Sequence, residues 1–238
     1  MKNVYEYSLI IFDMDGTLYY HRPVQLQMAR KLLWSVCTRR HGFQELSVIL
    51  KYRKLRENWS TNATGIQDQA ESQGETSGAG LEAEQYRVLA EKVGISSEEI
   101  QKIIQKWMFE IPLEGINRYR DKKLIALLHD LVHVGKKVVI YSDYYPEDKM
   151  SKLELSEIPS FYGGQQELDC MKPTPKGVYF IMEQMGVTDQ KDVLVIGDRM
   201  SKDGQLAINA GVDYLIVKKG RIRRRFQYTE EKALWTIR

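Results

Sequence analysis

The most constraining feature of the sequence is a short stretch near its start, Ser8-Leu9-Ile10-Ile11-Phe12-Asp13. Four consecutive large apolar residues leave no polar face. A strand built from them is covered on both sides, as in a parallel sheet, rather than alternating between core and solvent. The run closes on an acid, which opens the turn Asp13-Met14-Asp15-Gly16-Thr17-Leu18. Two carboxylates therefore stand two residues apart on a glycine turn at the carboxyl end of a buried strand. Ligands of open parallel sheets bind at that edge. A bland polar turn also uses Asp and Gly, but it rarely follows four buried residues with two acids.

Three further apolar runs read as strands of the same kind: residues 137–142 (KVVIYS), 192–197 (DVLVIG) and 213–217 (DYLIV). Helical patterns separate them. Residues 118–134 carry Leu124, Leu127, Leu128, Leu131 and Val134 at helical spacing and stop at Gly135. Residues 175–185 start with a proline and stop before Gly186, and residues 202–210 stop before Gly211. Alternating strand and helix over residues 113–217 predicts an α/β fold, a Rossmann-like three-layer core around a mostly parallel sheet.

Residues 20–112 show no strand pattern. Helices are expected at 23–41, with Gly42 closing the first, at 43–57, at 81–93, and from the capping box Ser96-Ser97-Glu98-Glu99 to about residue 110. Residues 60–80 are rich in Ser, Thr, Gly, Gln and Glu and read as a long flexible loop. The expected organisation is a discontinuous core, 1–19 with 113–238, interrupted by an α-helical cap at 20–112.

The other strand tips repeat the polar signature of the first. One run ends in Ser142-Asp143 and another in Gly197-Asp198, with Asp203 five residues on and Lys172-Pro173 lying between them. The ordered set Asp13-x-Asp15-Gly16-Thr17, Ser142, Lys172 and Gly197-Asp198 with Asp203 resembles the four motifs of the haloacid-dehalogenase superfamily of phosphohydrolases. The place of the helical insert is similar to that in phosphoglycolate phosphatases and β-phosphoglucomutases.

The resemblance implies a Mg²⁺-dependent phosphatase for a small phosphorylated metabolite. Asp13 is then the nucleophile that becomes an aspartyl phosphate. Asp15 protonates the leaving oxygen and later deprotonates the attacking water. Asp13, Asp198 and the backbone carbonyl of Asp15 are the implied Mg²⁺ ligands, hard oxygens suited to that ion. Ser142 hydrogen-bonds a phosphate oxygen, and Lys172 holds the phosphate and steadies Asp13. Backbone amides around Gly16, Thr17 and Asp143 complete the anion cradle. Asp203 orients Lys172 or a metal-bound water. The physical logic is that a carboxylate can attack a phosphate dianion only where cations neutralise the field. Two alternatives share the motifs: a sugar-phosphate mutase that returns the phosphate to its substrate, and a phosphate-binding or interaction protein that kept the fold. Halide removal fits less well, because Asp15 and the metal-binding pattern suit phosphate chemistry.

Composition narrows the partners. From Lys219 onward there are seven basic and two acidic residues, whereas the rest holds 28 basic and 30 acidic. The near-neutral body argues against a nucleic-acid-binding protein, and the basic tail reads as a solvated extension. No apolar run is long enough to span a membrane. With no export-signal pattern and only Cys37 and Cys170, the expected compartment is the reducing cytoplasm. His129-Asp130-Leu131-Val132-His133 superficially resembles a zinc helix motif, but a surface histidine pair is the default. Trp34, Trp59 and Trp107 read as packing anchors of the insert. Among Arg39, Arg40, Lys51, Arg53, Lys54 and Arg56, one or two are expected to point into the cleft and meet the leaving group.

Overall fold

The computed structural model describes residues 2–62 and 80–217. Its centre is a five-stranded, all-parallel sheet of order β3-β2-β1-β4-β5. The strands are β1 (Leu9–Phe12), β2 (Lys137–Ser142), β3 (Ser160–Tyr162), β4 (Val193–Gly197) and β5 (Asp213–Ile216). β1 sits in the middle, with Phe12 in register with Ile140 on one side and Ile196 on the other. All four of its residues are buried, as an unbroken apolar run requires.

The period of two divides these strands between two apolar layers. Ile10, Phe12, Val138, Ile140, Leu194 and Ile196 pack with Leu124, Leu128 and Leu131 of α6 (Lys122–His133). Leu9, Ile11, Val139, Tyr141, Val193 and Val195 pack on the opposite face. Their partners there include Val178 and Ile181 of α8 (Lys176–Gln184) and Leu206, Ala207 and Ala210 of α9 (Gln205–Ala210). The fold is a three-layer α/β sandwich. Residues 160–162 were not expected as a strand. They are only three, half-buried, and sit at the sheet edge, so they carry little of the apolar signature that marks the others.

Between β1 and α6 lie α1 (His21–Thr38), α2 (Gly42–Asn62), α3 (Leu81–Val93), α4 (Ser97–Ile104) and α5 (Ile111–Ile116). A π-helical turn at Gln105–Glu110 joins the last two. Val48, Ile49, Tyr52, Leu89, Ile100, Ile104 and Trp107 form a separate apolar cluster within these helices. Several boundaries move from their expected places. Gly42 opens α2 instead of closing α1, and a Cβ there would lie 2.3 Å from the Ser35 carbonyl oxygen. The two helices meet so closely that only glycine fits. α2 continues to Asn62, so residues 60–62 are helical; residues 63–79 of the expected loop lie outside the described residues, as does the basic tail from residue 218. The helix expected to end near 110 runs on through Ile116, with Pro112 accommodated near the start of α5. α6 starts at Lys122, where the Asp121 side chain accepts from the Lys123 and Leu124 amides. Trp107 is buried, but Trp34 is 65% exposed and outside the apolar cluster of these helices; the Trp59 side chain lies outside the described residues. Among the described residues no helix is long and apolar enough to cross a membrane.

Candidate active site

The carboxyl ends of β1, β2 and β4 converge on a cavity of about 340 Å³, closed from above by residues of α1 and α2. Asp13, at the end of β1, is fixed through its backbone, its N–H donating to the Ile196 carbonyl at 2.8 Å. Its side chain is held at both oxygens. Lys172 Nζ donates to Oδ1 at 2.7 Å, and the Thr17 hydroxyl donates to Oδ2 at 2.8 Å. Lys172 also donates to Asp203 Oδ1 at 2.9 Å, and the Arg199 amide donates to Asp203 Oδ2 at 3.1 Å. One buried ammonium thus bridges the ends of the first and fourth strands.

Asp198 completes an acidic cluster. Carboxylate oxygens of Asp13, Asp198 and Asp203 lie within 4.8 Å of one another. Two glycines permit this crowding: a Cβ on Gly16 would stand 2.2 Å from Asp198 Oδ2, and one on Gly197 would stand 2.2 Å from Asp203 Cγ. Burial, followed by the charges of Asp203 and Asp198, pushes the Asp13 carboxyl above the usual carboxylate range, against the opposing pull of Lys172. Lys172 bridges two of these three carboxylates, and the charge of Arg199 acts on Asp198 and Asp203. All the donors are hard oxygens, so the set fits Mg²⁺. Asp203, expected to orient Lys172 or a metal-bound water, does accept from Lys172, and its carboxylate also lies in this cluster; the Asp15 side chain, though not its backbone carbonyl, faces other partners.

Asp15 faces a different set of partners. Lys149 of α7 (Glu147–Lys152) donates to Asp15 Oδ1 at 2.6 Å, and the Tyr19 hydroxyl donates to the same oxygen. Burial alone would raise the Asp15 carboxyl. Lys149 and His21, together with these hydrogen bonds, outweigh it and hold the group at about 2. The two acids of the turn are thus driven in opposite directions, a pattern that marks functional sites.

The remaining expected residues occupy supporting places. The Ser142 hydroxyl oxygen accepts from the Tyr144 amide at 3.1 Å, which leaves its proton for another acceptor. Thr17 is fully buried and its hydroxyl is spent on Asp13. The Asp143 carboxylate is a junction: Oδ1 accepts from the Lys172 amide at 3.0 Å and Oδ2 from Lys202 Nζ at 2.6 Å. The Asp143 carbonyl accepts from Arg56 of α2 at 2.7 Å, and Arg199 pairs with Glu57 at 2.8 Å, so two contacts tie the inserted helices to this edge of the sheet. Lys149, Tyr19, Lys202 and Arg199 escaped the sequence reading. Each sits close in sequence to an expected residue, yet nothing in spacing alone marks a lysine on a short helix as turned inward. His129 and His133 stand exposed on α6, outside the cluster.

A family model for haloacid dehalogenase-like hydrolases matches residues 7–211, which includes the whole of this site. The chain belongs to the haloacid dehalogenase-like hydrolases. Solved structures of similar fold include a 2-haloacid dehalogenase from Pseudomonas syringae pv. Tomato (16% identity, 92% of this chain and 91% of that one, TM-score 0.55). The L-2-haloacid dehalogenase of Xanthobacter autotrophicus with chloropropionic acid covalently bound is another (18% identity, 89% and 77%, TM-score 0.54). A hydrolase of this type from Bacillus subtilis bound to magnesium is a third (14% identity, 88% and 86%, TM-score 0.53). A comparison with curated proteins gave no match. At these identities the likeness is one of fold, and this hydrolase's chemistry has to be argued from its own residues.

Proposed function

We propose that this hydrolase is a Mg²⁺-dependent phosphatase that cleaves a small phosphorylated metabolite through an aspartyl phosphate on Asp13. The observation that carries this reading is the placement of two acids of one turn among different partners. Asp13 lies in a cluster of carboxylates with Asp198 and Asp203, held by Lys172 and Thr17, and Asp15 stands two residues away against Lys149 and Tyr19. A nucleophile and a separate proton carrier are what phosphoester hydrolysis requires.

Asp13, Asp198 and Asp203 are the residues that would hold Mg²⁺, which supplies charge neutralisation between carboxylate and phosphate. Lys172 holds Asp13 Oδ1 and Thr17 holds Oδ2, so the carboxylate is oriented before substrate arrives. An Asp13 oxygen forms the bond to phosphorus as the ester P–O bond breaks, and the leaving oxygen takes a proton from Asp15. Water then attacks phosphorus, its proton passes to Asp15, and the Asp13–phosphorus bond breaks to release inorganic phosphate. Asp15 is an anion in the resting site. A phosphate dianion beside it raises its pKa, so substrate binding itself favours loading the acid. Ser142 is free to donate its hydroxyl proton to a phosphate oxygen. The cavity volume sits at the low end for small-molecule sites, which favours a metabolite over a protein substrate.

The test is a panel of phosphorylated metabolites assayed for inorganic phosphate release, with Mg²⁺ and with chelator, in wild type and Asp13→Asn. The reading expects Mg²⁺-dependent release by wild type and background turnover by the variant. Undiminished release by Asp13→Asn would overturn it, as would transfer of the phosphate between substrate positions without release.

A further inference from the structure

Lys149 has no part in the four motifs, yet it is a buried lysine whose ammonium reaches Asp15. It is 5% exposed and lies on α7, between the second strand tip and the sheet edge. Burying a lysine is costly unless the charge is paired. Here the pairing is specific: Nζ meets Asp15 Oδ1 at 2.6 Å, and Tyr19, from the segment leading into α1, donates to the same oxygen. An ionised carboxylate oxygen offers about two lone-pair sites. Oδ1 is therefore filled by two donors that arrive from different segments of the chain. No hydrogen bond among the described residues reaches Oδ2, while the Asp15 side chain is 17% exposed and lines the cavity.

We propose that Lys149, together with Tyr19, is a positioning residue that pins Asp15 Oδ1 and so presents Oδ2 as the oxygen that exchanges a proton with the substrate's leaving group. The assignment rests on the reading of Asp15 as the acid and base of a phosphatase. A carboxylate on a turn can rotate about two side-chain bonds, and a proton carrier displaced by an ångström can cost about a hundredfold in rate. Two donors on one oxygen remove that freedom. Lys149 thereby controls the chemical step without touching the bond that breaks. A purely structural ion pair would use the same contact but would have no reason to discriminate between leaving groups.

The test compares kcat and KM for p-nitrophenyl phosphate and for an alkyl phosphate in wild type, Lys149→Met, Asp15→Asn and the double variant. An aryl leaving group is a weak base and needs little protonation, whereas an alkoxide needs it. Lys149→Met is expected to lower kcat for the alkyl ester by about 10- to 100-fold, and for the aryl ester much less, through misplacement of the acid. In the Asp15→Asn background the same substitution should shift the alkyl-to-aryl ratio no further, because the residue it acts through is gone. Equal losses on both esters, or a further change of the ratio in that background, overturn the proposal while leaving the phosphatase reading in place. If Asp15→Asn itself leaves the ratio at its wild-type value, the acid role of Asp15 falls and the proposal with it. Should Lys149→Met fail to fold, Tyr19→Phe removes the other donor from Oδ1 with the ring retained, and the same ratio is read.

Discussion

Substituting Gly16 by alanine separates backbone strain from disruption of the acidic cluster. Gly16 has φ +95°, a conformation that side chains rarely adopt. Holding a non-glycine residue there costs about 1–3 kcal/mol. The new Cβ would also stand 2.2 Å from Asp198 Oδ2 and 2.7 Å from its Cγ. To restore ordinary contact at 3.4 Å, the carboxylate must retreat by about 1.2 Å. For a chain of this length each kcal/mol lowers Tm by about 2–4 °C, so strain alone predicts a fall of about 2–12 °C. A retreat of that size predicts a loss of about a hundredfold or more in Mg²⁺-dependent kcat/KM. Gly135→Ala is the control. Its φ is +79°, but a Cβ there meets nothing within 4 Å, so it should lower Tm comparably and leave activity intact. The assay is thermal unfolding with and without Mg²⁺ beside phosphate release. If Gly16→Ala loses stability but keeps wild-type Mg²⁺-dependent activity, the position of Asp198 does not matter and it cannot be a metal ligand.

Asp13→Asn keeps the shape of the nucleophile without its charge, and phosphate release should drop to background while far-ultraviolet circular dichroism stays unchanged. Asp198→Ala should raise the Mg²⁺ concentration needed for half-maximal activity at least tenfold, read by titrating Mg²⁺ into chelator-treated protein. Asp143→Asn should destabilise the fold by about 3 kcal/mol at neutral pH, because it breaks a buried pair with Lys202. Burial works against the Asp143 carboxylate, but Lys202 and Lys172 hold its pKa below the ordinary range. Its stabilising contribution is therefore complete above the unfolded carboxylate pKa of about 4 and is lost as pH falls through the lower folded value. Denaturant titrations of wild type and Asp143→Asn should thus differ most at neutral pH and converge in acid.

The sheet was legible because its signal is carried by composition alone. Residues 9–12, 138–141 and 193–196 are uninterrupted apolar runs, and such runs admit few alternatives to buried parallel strands. The strand tips were legible for the same reason: Asp13 and Ser142 directly follow such a run, and Asp198 follows one across Gly197. Legibility fails where a side chain's role depends on the approach of another element. Ser160–Tyr162 owes its pairing to β2 and not to its own pattern. Lys149 lies in the ordinary polar stretch Glu147-Asp148-Lys149, and its burial goes with a helix whose next residue, Met150, packs in the core. Helix ends moved because Gly42 serves a helix contact, which in sequence looks the same as a stop signal.

Arg53 and Arg56 show how far such ambiguity extends. Both are helical arginines of α2, less than one turn apart, and both line the cavity. Arg56 is 2% exposed, and both of its terminal nitrogens are bonded within the protein. It donates to the Tyr52 hydroxyl at 2.9 Å, to Gln85 at 3.1 Å and to the Asp143 carbonyl at 2.7 Å, and it stacks 4.1 Å from the Tyr144 ring centroid. Arg53 is half-buried and makes no hydrogen bond or ion pair to another described residue; after burial, its charge is one of three, with Lys149 and Arg199, that lower the pKa of His21. The two divide between them the tasks that an inserted helical unit must perform. Arg56, with Glu57 on Arg199, fixes α2 against the strand tips, while Arg53 lines the cavity with no hydrogen bond or ion pair among the described residues. Sequence spacing cannot assign these tasks, because residues three apart on a helix differ by only about 60° in direction and share one face. It is the contact with the Asp143 loop, made from the other side, that decides which arginine becomes a strut.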